Sequence, residues 1–191
     1  ILHFRKRDTN GTWATKQIKR PIRWTAERRE SFQTDAHGRD HVTDAELALS
    51  KDGKILGLRV KTTANLGAYL STFAPAVPTY LYATLLNGVY EMGAIHCEVT
   101  GVFTNTTPTT AYRGAGRPDV AYLWERLVEE AALATGIDPV EIRRRSLLRK
   151  EAFPLKTLTG SSYDSADPAR LLDTALKAAD WAGFKARRAA A

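Results

Sequence analysis

The chain has 191 residues, of which 43% are hydrophobic and 26% charged, so it can form one globular domain with a buried core and is not wholly disordered. It has no apolar run of about 18 residues, so no transmembrane helix is predicted. The single cysteine, Cys97, excludes an internal disulfide and a cysteine-rich zinc site. No apolar region follows the charged start, so we expect no secretory signal and a cytoplasmic location, with the periplasm left open.

Most of the net charge of +7 lies at the beginning of the chain. Residues 1–30 contain nine Lys or Arg against three Asp or Glu, a net charge of +6. We interpret residues 1–18 as a basic leader with a turn at Asn10-Gly11, and Trp13–Arg20 as the end of a helix stopped by Pro21. Such a leader could bind nucleic acid, be solvated or face other polypeptide. Nucleic acid is the least favoured partner, because no nucleic-acid-binding motif accompanies the charge.

The clearest predicted β-structure is a hairpin. Apolar and polar residues alternate on both sides of Asp52-Gly53, with Ala45, Leu47 and Leu49 before the turn and Leu56, Leu58 and Val60 after it. This pattern is the strongest short-range signal for a hairpin, and we expect one of its faces to be buried. Further strands are predicted at residues 22–26 and at 95–105, the second with Ile95, Cys97, Val99 and Phe103 on one face.

The strongest predicted helix follows Pro118, which suits a first turn, and Gly136 suits its C-terminal cap. Its apolar residues recur at helical spacing: Val120, Leu123, Trp124, Leu127, Val128 and Ala131. The other predicted elements are a short buried helix at 75–90, a helix opened by Asp138, a loop at 149–166, and a final helix opened by Asp167 with Leu171, Leu172, Ala175, Leu176 and Ala179 inward. The fold class is therefore α+β, a mixed or antiparallel β-hairpin sheet with packed helices.

The loop at residues 111–119 is the best candidate for a binding site. Gly114 and Gly116 permit backbone conformations that other residues avoid, Arg113 and Arg117 flank them, and a helix begins directly afterwards. Backbone N–H groups, a helix N-terminus and two guanidinium groups together suit phosphate or another oxoanion. The alternative is an ordinary strand-to-helix turn with surface arginines.

Other reactive side chains favour structural interpretations. His37 and His41 have a spacing that could bind metal on a helix, but Gly38 and the polar neighbours favour a hydrogen-bonded loop. Cys97 is interpreted as a buried, inert strand residue, with His96 on the opposite face. The run Arg143–Arg145 is interpreted as a solvated helix face. No complete set of catalytic residues stands out.

Six motifs in order over about residues 19–184 make the chain resemble a known family. They are Arg20 to Arg28, Asp35 to His41, Ala64 to Tyr69, Ala111 to Pro118, Gly136 to Arg143, and Tyr163 to Ser165. Together they resemble the large, molybdenum-binding subunit of the xanthine oxidase, aldehyde oxidase and carbon monoxide dehydrogenase family. Residues 1–12 lie outside the resemblance, and residues 19–191 would form part of a molybdopterin-binding domain.

The resemblance implies an oxidoreductase that hydroxylates an aldehyde or aromatic heterocycle at a molybdenum–molybdopterin cofactor, using oxygen from water. Iron–sulfur and FAD groups on partner domains or subunits would accept the electrons. The resemblance implies that Ala111, Arg113 and Gly114 bind the cofactor and that Ala115 contacts the substrate. It assigns no catalytic residue and no protein metal ligand to this chain.

Two loop residues depart from patterns within the family. Ala115 stands where xanthine oxidases have a phenylalanine that stacks on purine, so a purine substrate is disfavoured. Gly114 stands where carbon monoxide dehydrogenases have a copper-binding cysteine, which argues against carbon monoxide oxidation. An aldehyde or another small substrate is favoured.

Several segments of the family pattern have no counterpart in this sequence. They are an upstream glycine-rich segment, later cofactor-binding loops and the region that supplies the catalytic glutamate. We therefore expect a partial domain that needs the remainder of the large subunit and cannot hold molybdenum alone. The alternatives are a non-catalytic remnant acting as an interaction module and, less favoured, a nucleic-acid-binding domain.

Overall fold

The computed structural model describes residues 6–191, which fall into two compact units divided after Asp35. The first unit contains helices α1 (Lys6–Ile18) and α2 (Arg28–Thr34). Helix α1 ends before Pro21, as predicted, but it also includes Asn10-Gly11, so the turn predicted there is wrong. An Asn-Gly pair forms a hairpin turn only between segments that pair as strands, and here both flanking segments are helical. Residues 1–5 of the basic leader lie outside the described residues.

The strand predicted at residues 22–26 is also wrong, because this segment has no regular secondary structure. An isolated strand leaves its backbone groups without partners, and no described strand pairs with it. Helix α2, which was not predicted, follows directly. A reciprocal capping box opens it, in which the backbone N–H of Glu27 donates to Glu30 Oε2 at 3.2 Å.

The second unit, Ala36–Ala191, is built on a three-stranded sheet in the order β1-β2-β3. Strands β1 (His41–Leu49) and β2 (Ile55–Gly67) form the predicted antiparallel hairpin. Strand β3 (Ala94–Phe103) lies parallel to β2, so the mixed form of the predicted sheet is the correct one. Gly53 takes a left-handed φ of 84° in the hairpin turn, where its N–H donates to Ser50 O at 2.9 Å.

Helix α3 (Arg117–Thr135) covers one face of this sheet, and the core lies between them. Its buried side chains Val120, Trp124 and Val128 pack with Leu58 and Val60 of β2. The indole Nε1 of Trp124 donates a hydrogen bond of 2.8 Å to Leu86 O. Helix α3 begins and ends where the sequence predicts, with Gly136 as a left-handed C-terminal cap.

Two strand residues predicted to face the core are exposed instead. The register of β1 and β2 shifts between Ala48 and Leu49, so Ile55 enters the core and Leu56 faces outward. A second shift, between Asn65 and Gly67, accompanies the outward position of Phe103 at the end of β3. A bulge adds one residue on one strand and reverses which face the following residues occupy.

The segment predicted as a short helix at 75–90 forms a 3₁₀ turn, Ala74–Ala76, and then a π-helical turn, Val77–Leu81. Pro75 and Pro78 lack the N–H groups that a regular α-helix needs, which explains the irregular turns. The segment is buried only in part, with Val77, Pro78, Tyr82, Leu86 and Tyr90 in the interior and Tyr80 68% exposed.

The remaining elements of the second unit follow α3. They are α4 (Pro139–Ser146), a 3₁₀ turn (Lys150–Ala152), β4 (Leu155–Lys156), β5 (Ser162–Tyr163), α5 (Pro168–Ala178), a second 3₁₀ turn (Trp181–Gly183) and α6 (Phe184–Ala190). Asp138 and Asp167 cap α4 and α5 as predicted. The predicted loop at 149–166 contains the small β4–β5 pair, and α5 is not the final helix. Among residues 6–191 no helix is both long and apolar enough to cross a membrane.

The inward face predicted for α5 is mostly wrong. Of the five residues predicted to face inward, only Leu172 and Leu176 are half-buried, and Leu171 is 71% exposed. A helix periodicity shows that one face is apolar, but it does not show what covers that face.

Candidate functional site

The loop at 111–117 leads into α3, and its shape depends on two left-handed glycines. Gly114 has a φ of 86° and Gly116 a φ of 84°. Two backbone hydrogen bonds close its turns, from Ala115 N–H to Tyr112 O at 2.9 Å and from Arg117 N–H to Gly114 O at 2.8 Å. The segment is therefore an ordered double turn that residues other than glycine would strain.

The two glycines face different surroundings. A Cβ on Gly116 would lie 2.7 Å from the carbonyl carbon of Leu81, so this glycine lets two backbone segments pack together. A Cβ on Gly114 would meet only the ring of Pro118, at 3.3 Å, and Gly114 is exposed. Gly114 therefore leaves the outer surface of the loop open to close approach by another molecule.

The loop presents two exposed cations, Arg113 and Arg117, and neither side chain is paired within residues 6–191. Arg113 is exposed, and its guanidinium makes no hydrogen bond or ion pair with any residue in 6–191. The N–H groups of Arg113 and Gly114 likewise donate to no acceptor in the described part of the chain. Ala111 and Ala115 beside them are half-buried. The arrangement can bind an anion through one guanidinium and backbone donors.

Arg39, which is not among the predicted site residues, contacts the loop from the segment before β1. Its Nη2 donates to Arg113 O at 3.0 Å, and its guanidinium carbon lies 5.3 Å from the centre of the Tyr112 ring. Its Nε lies 3.5 Å from Asp119 Oδ2, in the first turn of α3. Arg39 is part of the motif Asp35 to His41, but the partner 74 residues away could not be identified from spacing alone.

Asp119, which faces Arg39, also faces a histidine on β1. Its side chain is 11% exposed, and its Oδ1 lies 3.8 Å from His41 Nδ1. Burial lowers the pKa of His41, which the carboxylates of Asp119 and Asp40 oppose and the Arg39 cation reinforces. The His41 ring also packs edge-on against Tyr82, with 5.7 Å between ring centres.

A cavity of about 630 Å³ opens beside these residues. It lies between the first half of β1 and α3. It is lined by Arg39, Asp40, His41, Thr43, Ala45, Tyr82, Asp119, Tyr122, Leu123, Arg126, Leu127 and Glu130. None of the predicted site residues Ala111, Arg113, Gly114 and Ala115 is in this lining. The structure thus places the candidate loop on the surface, with Arg39 and Asp119 between it and the cavity.

The two histidines that the sequence brings close together belong to separate networks. The Nε2 of His37 lies 2.9 Å from Thr107 Oγ1, and its backbone N–H donates to Pro108 O at 3.0 Å. His41 instead contacts Asp119. Within residues 6–191 no three His, Cys, Asp or Glu side chains are grouped to hold a metal ion.

Cys97 lies on the core side of β3 and His96 is exposed on the other side, as predicted. The thiol is half-buried rather than fully buried, and burial raises its pKa. A raised thiol pKa lowers the thiolate fraction, in keeping with an inert residue.

Asn65 supports the chain that leads into the loop. Its Nδ2 donates to Asp40 Oδ2 at 2.8 Å and to Thr106 Oγ1 at 3.0 Å. Its Oδ1 accepts from Gly67 N–H and from Thr104 Oγ1, both at 2.7 Å. The motif Ala64 to Tyr69 therefore joins the ends of β2 and β3 through one fully hydrogen-bonded amide.

The arginine run on α4 is not a simple solvated face. Arg143 is only 16% exposed at its side chain, and its Nη2 contacts Glu125 and also Glu129 Oε1 at 3.1 Å. Arg144 Nη2 lies 2.7 Å from Asp173 on α5. These arginines link helices, because α4 packs against α3 and directs Arg143 toward the glutamates of that helix.

Comparisons with known proteins show what this chain is similar to. The molybdopterin cofactor-binding domain family matches residues 8–147, which includes part of the leader. The carbon monoxide dehydrogenase large chain of Hydrogenophaga pseudoflava is 42% identical over 178 residues, covering 91% of this chain. The gamma subunit of the 6-hydroxypseudooxynicotine dehydrogenase complex of Paenarthrobacter nicotinovorans is 34% identical over 174 residues, covering 88% of this chain.

A solved structure shows the same fold. The crystal structure of quinoline 2-oxidoreductase from Pseudomonas putida 86 superposes with a TM-score of 0.88 and 27% identity over 96% of this chain, which is 23% of that protein's chain. The chain likewise spans 22% of the length of each of the two relatives above. The resemblance found in its motifs is confirmed, and the chain belongs to the molybdopterin cofactor-binding domain family.

Proposed function

We propose that this chain supplies one wall of the molybdopterin site in a molybdenum-dependent hydroxylase, with the loop at 111–117 against the cofactor. The observation that carries this proposal is the exposed, unpaired guanidinium of Arg113 on a loop fixed by two left-handed glycines. Molybdopterin carries a phosphate and polar pterin edges, which suit a guanidinium and free backbone N–H groups. The residues present therefore fit the group.

The chain's own residues would bind and orient the cofactor rather than carry out the chemistry. When bound, the molybdenum group supplies the oxidation of a substrate carbon and the acceptance of its electrons. Arg113 and the N–H groups of Arg113 and Gly114 would hold an anionic or polar edge of it. The N-terminus of α3 contributes less, because the carboxylate of Asp119 already lies in its first turn.

The loop favours an aldehyde or a nitrogen heterocycle over carbon monoxide as the substrate. Gly114 offers no thiol for copper, and the only cysteine of the sequence, Cys97, is half-buried in β3. Ala115 provides no aromatic platform for a purine. Relatives named for 6-hydroxypseudooxynicotine and quinoline support a heterocyclic substrate. The proposal thus departs from the activity of the relative that is 42% identical.

The proposed partners are the remainder of a large subunit and separate iron–sulfur and FAD subunits. The relatives include subunits of complexes, as the names of the gamma subunit and of a nicotine 6-hydroxylase large subunit state. The exposed position of Arg113 and Gly114 supports this, because other polypeptide would have to enclose a cofactor bound there.

The test compares two arginine variants in the complete complex that contains this chain. We expect molybdenum to co-purify with the wild-type complex and to be largely lost in Arg113→Ala. It should be retained in Arg126→Ala, which removes an arginine paired with Glu130 at 2.9 Å on α3. Elemental mass spectrometry measures the metal, and oxidation of quinoline, an aldehyde and carbon monoxide measures the substrate class.

Two results would contradict the proposal. Full molybdenum content in the Arg113→Ala complex would remove the loop from the cofactor site. Efficient oxidation of carbon monoxide by the wild-type complex would overturn the substrate assignment. The 191-residue chain purified by itself should contain molybdenum well below one atom per chain.

A further inference from the structure

We propose that Arg39 is a positioning residue that holds the loop at 111–117 in the shape needed to present Arg113. This inference rests on the proposed function, because it concerns the same loop. It assigns a role to a side chain outside the loop, which reaches the loop from the segment before β1.

Arg39 joins the two ends of the loop. At the entry it donates to Arg113 O at 3.0 Å and lies over the Tyr112 ring. At the exit its Nε lies 3.5 Å from Asp119 Oδ2. The loop has only two closing backbone hydrogen bonds of its own, so a side chain that spans both ends restrains how Arg113 is directed.

The contact at the exit of the loop pairs Arg39 with a buried carboxylate. Asp119 Oδ2 is buried and accepts no hydrogen bond from residues 6–191, and its ion-pair partner among them is Arg39, at 3.5 Å. His41 faces the other carboxylate oxygen, at 3.8 Å. Removing Arg39 would leave a buried carboxylate facing only a histidine, which favours rearrangement of the first turn of α3.

The chemistry of guanidinium distinguishes Arg39 from a lysine. A planar guanidinium can donate to a carbonyl, lie over an aromatic ring and face a carboxylate at the same time. The ammonium of a lysine can keep the charge beside Asp119, but it cannot make all three contacts. Arg39→Lys should therefore keep the positive charge beside Asp119 without holding the loop in its wild-type shape.

The test measures the loop separately from the cofactor. In the 191-residue chain, amide hydrogen exchange at Ala115 and Arg117 should accelerate about tenfold in Arg39→Ala and Arg39→Lys, the effect of losing one or two such contacts. Exchange should not change in Arg126→Ala, which removes another arginine from the lining of the same cavity. Circular dichroism should show folded chains, with Arg39→Lys melting close to the wild type.

A spectroscopic readout separates positioning from a general loss of stability. The Arg39 cation contributes to the low pKa of His41, so an NMR titration should show a higher His41 pKa in Arg39→Ala and a value near that of the wild type in Arg39→Lys. Molybdenum content of the complete complex should fall in both Arg39 variants.

The outcomes distinguish this inference from the proposed function. Loop exchange within twofold of the wild type in both Arg39 variants would overturn the positioning role. Molybdenum lost in Arg113→Ala but retained in both Arg39 variants would also overturn it, while the proposed function would stand. The third outcome is faster loop exchange in the Arg39 variants while the Arg113 and Arg39 variants all retain molybdenum. It would support the positioning of the loop and refute the cofactor site.

Discussion

Protonation of His41 makes the free energy of unfolding depend on pH. It is packed against Tyr82, faces the carboxylates of Asp119 and Asp40, and lies near the Arg39 cation. Burial dominates and lowers its pKa below the ordinary 6.5, so the folded state favours the neutral ring. The unfolded chain therefore binds a proton at a higher pH than the folded chain does.

We predict that the free energy of unfolding falls as the pH drops below about 6.5 and continues to fall down to the folded-state pKa of His41. The contribution of this residue is at most about 1.4 kcal/mol per pH unit. Urea unfolding at pH 7.5 and at pH 5.5 measures it. The decrease should be smaller in His41→Gln and unchanged in His96→Gln, which alters an exposed histidine on β3. An equal decrease in wild type and His41→Gln would contradict the assignment.

At the scale of the elements, Gly116 brings the backbone of the loop at 111–117 against the backbone at the end of the π-helical turn Val77–Leu81. A Cβ there would lie 2.7 Å from Leu81 C and 2.8 Å from both Leu81 O and Tyr82 N. Since backbone atoms cannot rotate away as side-chain ends can, a methyl group at this position must separate the two segments. The left-handed φ of 84° adds its own strain for any other residue.

We predict that Gly116→Ala lowers the free energy of unfolding by about 3 kcal/mol, the sum of the left-handed strain and the overpacking. Gly136→Ala is the matched control, because its φ is 71° but a Cβ would meet nothing within 4 Å. The control should cost about 1 kcal/mol. Urea titration of both variants measures the difference, and equal losses would show that the close approach at Gly116 is not rigid.

The elements differ in how far the sequence could predict them. The hairpin and α3 follow from local signals, namely alternation around Asp52-Gly53 and helical spacing closed by Gly136. The register shift at Leu49 and the irregular turns at 74–81 depend on neighbouring segments, so periodicity misassigned Leu56 and the helix type. A local pattern specifies an element, whereas its register is set by what it packs against.

The candidate site likewise has one part that the sequence could predict and one part that depends on packing. The glycines and arginines of the loop at 111–117 are adjacent in sequence and could be identified together. Arg39 and His41 reach Asp119 only because β1 begins beside the first turn of α3. Local propensity does not encode a contact between residues so far apart, and the spacing of His37 and His41 drew attention to this segment without pointing to Arg39.

At the scale of the whole second unit, one apolar surface has no cover within the described residues. Helix α5 presents Leu171 and Leu172 to a groove of about 420 Å³ that also includes Val89, Tyr90 and Leu147. Leu171 is 71% exposed although it lines this groove. Monomeric proteins rarely leave contiguous apolar patches open to water, because covering them is favourable.

We predict that the purified 191-residue chain binds an apolar fluorescent dye and self-associates as its concentration rises. Leu171→Gln should reduce both effects, because it places an amide in the groove, and it should change the free energy of unfolding by less than about 0.5 kcal/mol. Leu133→Gln is the matched control, since Leu133 is 79% exposed on α3 and does not line the groove. Dye fluorescence and sedimentation velocity measure the two effects. If the wild type stays monomeric without binding dye, or if both variants lower dye binding equally, the groove is not the surface that binds dye and causes self-association.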